Sequence, residues 1–144
     1  MTDPMPPGLS DSERAALFAA ASAAMDRAHA PYSRFQVGAA VLDAQGRIHG
    51  GCNVENAAYP QGVCAEAGAL SAMVLAGGSS VRAVLVMGRG AGLVTPCGGC
   101  RQKIREFAAP DTPILIADPH QVRASFTLAQ LLPHSFGPDH LSLP

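Results

Sequence analysis

The sequence predicts a single α/β domain in which a mixed sheet is covered by helices on both faces. Length supports this fold class, because 144 residues is a usual size for one domain. Composition supports it as well, since 48% hydrophobic and 15% charged residues can form a core that needs no disulfide bonds. After an opening hairpin, apolar segments alternate with segments of helical character, which is typical of a sheet with helices packed on it.

The first predicted element is a helix over about residues 11–28. Residues 1–8 contain three prolines and a glycine, so we expect a flexible lead-in there and a single domain over residues 9–144. Ser10 and Glu13 have the spacing of a capping box, which marks a helix start, and Pro31 limits the helix at its end. The apolar residues that recur at helical spacing are Leu17, Ala20, Ala21, Ala24 and Met25.

A β-hairpin is predicted after this helix. Residues 35–42 form an apolar run bounded by turn residues, which indicates a strand. Gly46 can adopt the positive φ that a tight turn over residues 43–46 requires. Residues 47–53 would then return antiparallel to the first strand.

The rest of the chain alternates between helix and strand. Gly77 and Gly78 end a segment rich in Ala, Leu and Met, and Pro110 follows a second helical segment. Two runs rich in Val and Ile indicate buried strands. In chain order these elements are a loop over 54–62, a helix over 64–76, a strand over 81–87, a loop over 88–96, a helix over 97–107, a strand over 113–117 and a short helix or turn over 127–132.

Charge and hydropathy exclude several classes of function. The net charge is −1, so the chain lacks the basic footprint of a nucleic-acid-binding protein. Aromatic residues make up 5% and tryptophan is absent, which argues against a base-stacking platform for single strands. No apolar run approaches the ~18 residues that span a bilayer, and the N-terminus lacks the pattern of a signal peptide. We therefore expect no nucleic-acid partner, no membrane association and a cytoplasmic location.

The cysteines and one neighbouring carboxylate point to a metal site. Cys64 and Glu66 lie at the start of one predicted helix, and Cys97 and Cys100 lie at the start of another. Three thiolates can hold one tetrahedral zinc and leave a fourth position open, which is the mark of a catalytic zinc. Helix N-termini favour thiolates, and the spacing can aim Glu66 at a zinc-bound water as a proton carrier.

Plainer interpretations of the same residues stay open at this point. Cys97 and Cys100 could be a redox pair or half of a structural zinc site. Cys52 could complete a closed site with four cysteines, which would have no catalytic position. Glu66 could do no more than complement the dipole of its helix.

Taken together, the motifs resemble the short, homotetrameric cytidine deaminases. The resemblance covers most of the chain, and its combination of motifs is highly specific. The segments that carry it are APYSRFQVGAA at 30–40, GCNVENA at 51–57, CAE at 64–66, TPCGGCRQ at 95–102, LLP at 131–133 and Phe136.

The resemblance implies a three-layer α/β/α fold with a mixed, mostly five-stranded sheet. It implies zinc-dependent hydrolysis of cytidine or deoxycytidine to uridine or deoxyuridine and ammonia, a role in pyrimidine salvage. It assigns Cys64, Cys97 and Cys100 to one zinc per chain, and Glu66 to moving protons between the zinc-bound water, ring N3 and the departing amine. Cys52 is left as a small buried hydrophobe.

The resemblance also implies the contacts to the nucleoside. The Ala65 backbone would contact the pyrimidine edge, the Thr95 carbonyl would lie near the leaving ammonia, and Phe35 would pack on the nucleoside. Asn53 and Glu55 would hydrogen-bond the ribose, chiefly its 3′-hydroxyl. Phe136 and Tyr59 would come from neighbouring subunits of a homotetramer with shared active sites. From pattern alone, Phe35 and Phe136 could equally be core residues, and Asn53 and Glu55 could be loop caps.

One departure from the family concerns charge at the zinc. Many members place an arginine directly after Cys-Ala-Glu, where this chain has Ala67. We expect helix-end N–H groups, and Arg101 as a further candidate, to compensate the thiolate charge instead. Two other functions compete with nucleoside deamination: deamination of another cytosine-bearing small molecule such as blasticidin S, and a zinc-stabilised binding domain without turnover.

Overall fold

A computed structural model describes residues 8–141 and contains one mixed sheet of five strands in the order β2-β1-β3-β4-β5. Neighbouring strands are antiparallel except β3 and β4, which are parallel. This confirms the predicted mixed, five-stranded sheet. The strands are β1 (Val37–Asp43), β2 (Ile48–Cys52), β3 (Val81–Gly88), β4 (Pro113–Ala117) and β5 (Val122–Thr127).

Four α-helices accompany the sheet. The predicted capping box of α1 is present, because the Ser10 side chain accepts from the Glu13 N–H and the Glu13 side chain accepts from the Ser10 N–H. Within residues 8–141, no helix is both long and apolar enough to cross a membrane. The helices are α1 (Asp11–Asp26), α2 (Ala65–Leu75), α3 (Gly98–Arg105) and α4 (Leu128–Leu131), with 3₁₀ turns at Tyr59–Gln61 and Pro138–Leu141.

The helices cover the two faces of the sheet, which confirms the three-layer α/β/α arrangement. Successive side chains of a strand point to opposite faces, so β3 contributes Leu85 to one core and Val84 and Val86 to the other. Helix α1 packs on the first face, where Leu17 and Met25 are almost fully buried. Helices α2, α3 and α4 pack on the second face, together with the functional residues described below.

Two glycines set how closely the helices approach the sheet. A Cβ at Gly38 of β1 would lie 2.0 Å from the Ala21 carbonyl oxygen of α1. A Cβ at Gly51 of β2 would lie 2.2 Å from the Ala69 backbone nitrogen and 2.4 Å from the Ala65 carbonyl oxygen of α2. Since no side chain fits at either position, both helices lie directly on the backbone of the sheet.

The structure departs from the sequence-based elements in a few places. Strand β5 was missed: residues 122–126 had no assignment, and Thr127 was placed in the short helix or turn. VRASFT is neither an apolar run nor a clean alternation, and all six residues are half-buried at the sheet edge. The first strand begins at Val37 rather than at Phe35. The expected lead-in at residues 1–7 and the last three residues of the domain lie outside the described residues.

A buried carboxylate, Asp43 at the end of β1, stabilises the β1–β2 hairpin. The Asp43 side chain is fully buried and accepts hydrogen bonds from the Arg47 and Gln45 N–H groups, from Arg47 Nε at 3.0 Å and from His49 Nε2 at 2.8 Å. Arg47 also donates to the Ala76 carbonyl after α2. Burial by itself would raise the pKa of Asp43, but the hydrogen bonds from His49, Arg47 and Gln45 outweigh it and lower the pKa to about 2.

We expect Asp43→Ala to lower the free energy of unfolding by about 3 kcal/mol at neutral pH, because buried donors lose their acceptor. Because the folded pKa lies below the unfolded value, the contribution of Asp43 is complete above about pH 4 and is lost as the pH falls toward 2. Urea titrations at pH 7 and pH 3 measure both effects. Asp26→Ala is the matched control, since Asp26 and its partner Arg89 are mostly exposed; equal effects of the two substitutions would contradict the role of Asp43.

Candidate active site

Three cysteine thiols meet where two helices begin. The sulfur atoms of Cys64, Cys97 and Cys100 all lie within 4.8 Å of one another, and the Cys64 and Cys97 sulfurs are 3.9 Å apart. Cys64 is the N-cap of α2 and Cys97 is the N-cap of α3, while Cys100 lies in the first turn of α3. The structure therefore brings together the three cysteines that the sequence places in two separate segments.

The topology of the sheet explains why the two helix starts coincide. Helix α2 leads into β3 and α3 follows it, so both helices begin at the carboxyl end of β3. The antiparallel register places Val37, the first residue of β1, opposite Gly88 at this end. The end of β2 lies here too, because Gly38 is paired with Cys52. One end of the sheet thus gathers the loops that carry the cysteines and the loop that follows β2.

The three thiols have different electrostatic surroundings. The Cys100 N–H donates to the Cys97 sulfur, and this hydrogen bond lowers the pKa of Cys97. Burial raises the pKa of Cys64 and, more strongly, that of Cys100, which is almost completely buried. A divalent cation removes this penalty because it stabilises the thiolate directly.

This donor set fits zinc. Thiolates bind zinc at about 2.3 Å, which places two ligands of a tetrahedral site about 3.8 Å apart, close to the 3.9 Å between the Cys64 and Cys97 sulfurs. Among residues 8–141, Cys52 is not part of the cluster, so the closed four-cysteine site is not formed. Cys52 is half-buried rather than buried as expected, since it lies in the last position of the edge strand β2.

Glu66 is a buried acid beside these thiols. Glu66 is only 5% exposed. Burial raises the pKa of its carboxyl group, and the positive charge of Lys103 acts in the opposite direction. No arginine or lysine within residues 8–141 forms an ion pair with it. A raised pKa shifts a carboxyl group in the direction that general acid and base catalysis at neutral pH requires.

A cavity of about 170 Å³ adjoins the thiols. Four of the predicted site residues besides the cysteines line it: Asn53, Ala65, Glu66 and Thr95. The cavity also has an apolar wall formed by Val37, Val86 and Val94, which were not among the predicted site residues. Val37 and Val86 lie on the paired strands β1 and β3, so their alternation in the strands was the available signal; Val94 lies in a loop and gave none.

Asn53 and Glu55 hold the backbone of the segment that precedes β1. The Asn53 side chain accepts from the Val37 N–H at 2.8 Å and donates to the Phe35 carbonyl at 2.9 Å. The Glu55 carboxylate accepts from the Tyr32 and Ser33 N–H groups and from the Ser33 hydroxyl. The hydrogen bonds from Ser33 lower the pKa of Glu55, so it is a carboxylate at neutral pH.

The three predicted aromatic contacts lie outside this cavity. Phe35 is 42% exposed, Tyr59 is 79% exposed and Phe136 is 58% exposed. Tyr59 contacts Tyr32 edge to face with ring centroids 6.3 Å apart, and Phe136 stacks on His140 at 5.1 Å. Within one chain, therefore, the structure does not bring these rings to the thiols.

Arg101 directs the hydrogen bonds of its side chain to oxygen atoms and not to the cysteine sulfurs. Its guanidinium donates to the Pro96 carbonyl, the Leu131 carbonyl and the Thr95 hydroxyl. Direct hydrogen bonding to the thiolates, one way in which Arg101 could compensate their charge, is absent from the part of the chain that the structure describes.

Comparison with known proteins identifies relatives of the same chemistry. The family model described as the cytidine and deoxycytidylate deaminase zinc-binding region matches residues 11–116. A cytidine deaminase of Sporosarcina psychrophila is 40% identical over 126 residues, which is 88% of this chain and 93% of that protein. The crystal structure of cytidine deaminase from Burkholderia pseudomallei superposes with a TM-score of 0.78 at 40% identity, covering 85% of this chain and 98% of that one. The corresponding structure from Mycobacterium leprae has a TM-score of 0.72 at 40% identity, covering 84% and 98%.

We expect the purified protein to contain about one zinc ion per chain, and Cys64→Ser and Cys100→Ser to lose most of it, because two sulfurs hold zinc far more weakly than three. Zinc is measured by atomic emission after dialysis. Cys52→Ser is the matched control and should retain the metal. Full zinc content in Cys100→Ser would remove that residue from the ligand set, and loss of zinc in Cys52→Ser would restore the closed four-cysteine site.

Proposed function

The chain belongs to the cytidine and deoxycytidylate deaminase family, and we propose that it converts cytidine and deoxycytidine with water to uridine and deoxyuridine, releasing ammonia. The observation that carries this proposal is the buried Glu66 beside three thiols at the edge of one cavity. We place the reaction in pyrimidine salvage and in the cytoplasm, where a reducing environment keeps three thiols available for metal.

Cys64, Cys97 and Cys100 are the proposed ligands of one zinc per chain. Zinc held by these three thiolates would supply the acidity that makes water a nucleophile near neutral pH. The first turns of α2 and α3 support the thiolate form, because unpaired N–H groups and the helix dipoles carry partial positive charge.

Glu66 is the proposed proton carrier. Its carboxylate takes one proton from the attacking water and delivers it to ring N3. It then takes the proton of the hydroxyl group now on C4 and delivers it to the amine, which leaves as ammonia while C4 keeps a carbonyl oxygen. The raised pKa supports this role, since it makes the carboxylate a better base toward water and lets the group retain the proton until it is transferred. Burial also excludes bulk water, which would otherwise compete for the proton.

Three further cavity residues, together with Glu55 and Phe35 beside the cavity, are proposed to select a nucleoside. The Ala65 backbone contacts the pyrimidine edge, and the Thr95 carbonyl accepts from the departing ammonia. Asn53 and Glu55 bind the ribose 3′-hydroxyl, and Phe35 packs on the nucleoside. Hydrogen bonds to the 32–37 backbone already fix the Asn53 and Glu55 side chains, so ligand binding would cost them little further entropy.

Zinc-loaded protein is expected to convert cytidine to uridine, followed by the loss of ultraviolet absorbance, and Glu66→Gln is expected to keep zinc but lose roughly 10²–10⁴ in kcat. The amide has the shape of the acid but cannot carry a proton. Asp111→Asn, at an exposed acid in the turn before β4, serves as the matched control with unchanged turnover. Absence of turnover by the zinc-loaded wild type would overturn the proposed function, and an active Glu66→Gln would overturn the role of Glu66.

We also propose that the active unit is a homotetramer whose subunits share active sites. Phe136 and Tyr59 are exposed aromatic residues in a single chain, and they would complete the pocket of a neighbour. An apolar groove of about 710 Å³ between α2 and α3, where Leu75 is 91% exposed, supports burial against another copy of the chain.

Shared sites predict complementation between two impaired variants. Phe136→Ala is expected to raise KM about tenfold through lost aromatic packing, and Glu66→Gln removes turnover. Hybrid oligomers co-expressed with two different tags should regain activity above the sum of the parents, because some sites then combine an intact Glu66 with an intact Phe136. Light scattering should give four chains for each species; an active monomer, or hybrids with no regained activity, would contradict shared sites.

A further inference from the structure

We propose that Arg101 is a positioning residue, which fixes the loop carrying Thr95 and Cys97 through its three-way hydrogen bonding and not through its charge. The inference deepens the proposed function and rests on it for the catalytic consequence. The effect of Arg101 on the position of Cys97 should alter how long the protein retains zinc, and zinc release can be measured without any substrate.

The contacts of Arg101 join two separate segments of the chain. Nε donates to the Pro96 carbonyl at 2.8 Å and Nη2 donates to the Thr95 hydroxyl at 3.2 Å. Nη1 donates to the Leu131 carbonyl, in the last residue of α4, at 2.8 Å. A planar guanidinium with donors on three sides is required to reach all three acceptors at once.

The loop held in this way supplies two groups of the site. Thr95 lines the cavity beside the thiols, and Cys97, two residues later, is the N-cap of α3. The Pro96 residue between them is buried, so without Arg101 its carbonyl would lose a partner away from bulk water. Arg101 donates to the Thr95 hydroxyl and to the Pro96 carbonyl, the two oxygens that flank the Thr95 carbonyl. In the described part of the chain, the Thr95 carbonyl itself accepts no hydrogen bond.

The position of Arg101 in α3 makes the arrangement rigid. Its backbone N–H donates to the Cys97 carbonyl at 3.0 Å within the first turn of the helix. The same residue therefore ties the loop to the helix through its backbone and to α4 through its side chain. A shift of the loop would move Thr95 and the Cys97 sulfur together relative to Cys64 on α2.

Arg123 is a matched comparison, because it contacts an earlier part of the loop between β3 and α3. Its guanidinium donates to the Gly90, Ala91 and Gly92 carbonyls, so it also holds a loop by several oxygens. These three residues do not line the cavity at the thiols. The two arginines thus make similar hydrogen bonds, and only Arg101 acts on a segment of the site.

The test compares zinc-loaded wild type with Arg101→Gln, Arg101→Lys and Arg123→Gln. For both Arg101 variants we expect kcat for cytidine to fall by about 10- to 100-fold, the scale of a misplaced catalytic group, with KM changed less than about threefold. Zinc release to a chelator should be at least about fivefold faster, and the pH profile of kcat/KM should keep its shape. Arg123→Gln should stay within about twofold of wild type in every measurement.

Lysine separates positioning from charge, because it keeps the positive charge and the aliphatic stem but cannot form the three-way fork. Near-normal kcat and zinc release in Arg101→Lys would overturn the proposal in favour of a charge effect, as would a shifted pH profile in Arg101→Gln. Equal effects of Arg101→Gln and Arg123→Gln would overturn the proposal, because they would show that each arginine only stabilises the fold. Where Arg101→Gln does not fold, Arg101→Lys carries the test. If wild type binds zinc but does not deaminate cytidine, the proposed function fails, while the chelator rates still decide whether Arg101 fixes Cys97.

Discussion

The convergence of two helix N-termini at the carboxyl end of β3 is the constraint on which the candidate site depends. It places Cys64 at the start of α2 beside Cys97 and Cys100 at the start of α3. The convergence in turn requires α2 to lie against the backbone of β2, where Gly51 has no room for a side chain. A methyl group at Gly51 would push away the turn that carries Ala65 and move Cys64 and Glu66 with it.

The two buried acids, at opposite ends of β1, show how the fold divides stability from chemistry. Asp43 is surrounded by donors from Gln45, Arg47 and His49, which lower its pKa and make it part of the scaffold. Glu66 accepts hydrogen bonds from its own N–H and from the Cys100 thiol, but burial outweighs them and its pKa is raised. An acid buried in this way costs stability, and such groups are concentrated where catalysis needs them.

The sequence predicted the thiol cluster because spacing, helix starts and residue type all agree on it. Strand β5 escaped because a half-buried edge strand with Arg123 and Ser125 has neither the alternation nor the apolar run that indicates a strand. The hydrogen bonds of Asn53 and Glu55 to the 32–37 backbone were also out of reach, because they join segments that only the folded chain brings together. The five-stranded sheet and the substrate contacts came from the family resemblance rather than from any local pattern.

The negative charge of three thiolates must be balanced by positive groups near them. Zinc with three thiolates has a formal charge of −1, and Ala67 stands where many relatives have an arginine. Arg101 directs its side-chain hydrogen bonds to oxygens of the loop and of α4. The N-termini of α2 and α3 together supply about one positive charge, half from each helix. With zinc bound as proposed, the helix ends would both position the thiolates and offset their charge, which leaves the Arg101 side chain to hold the loop.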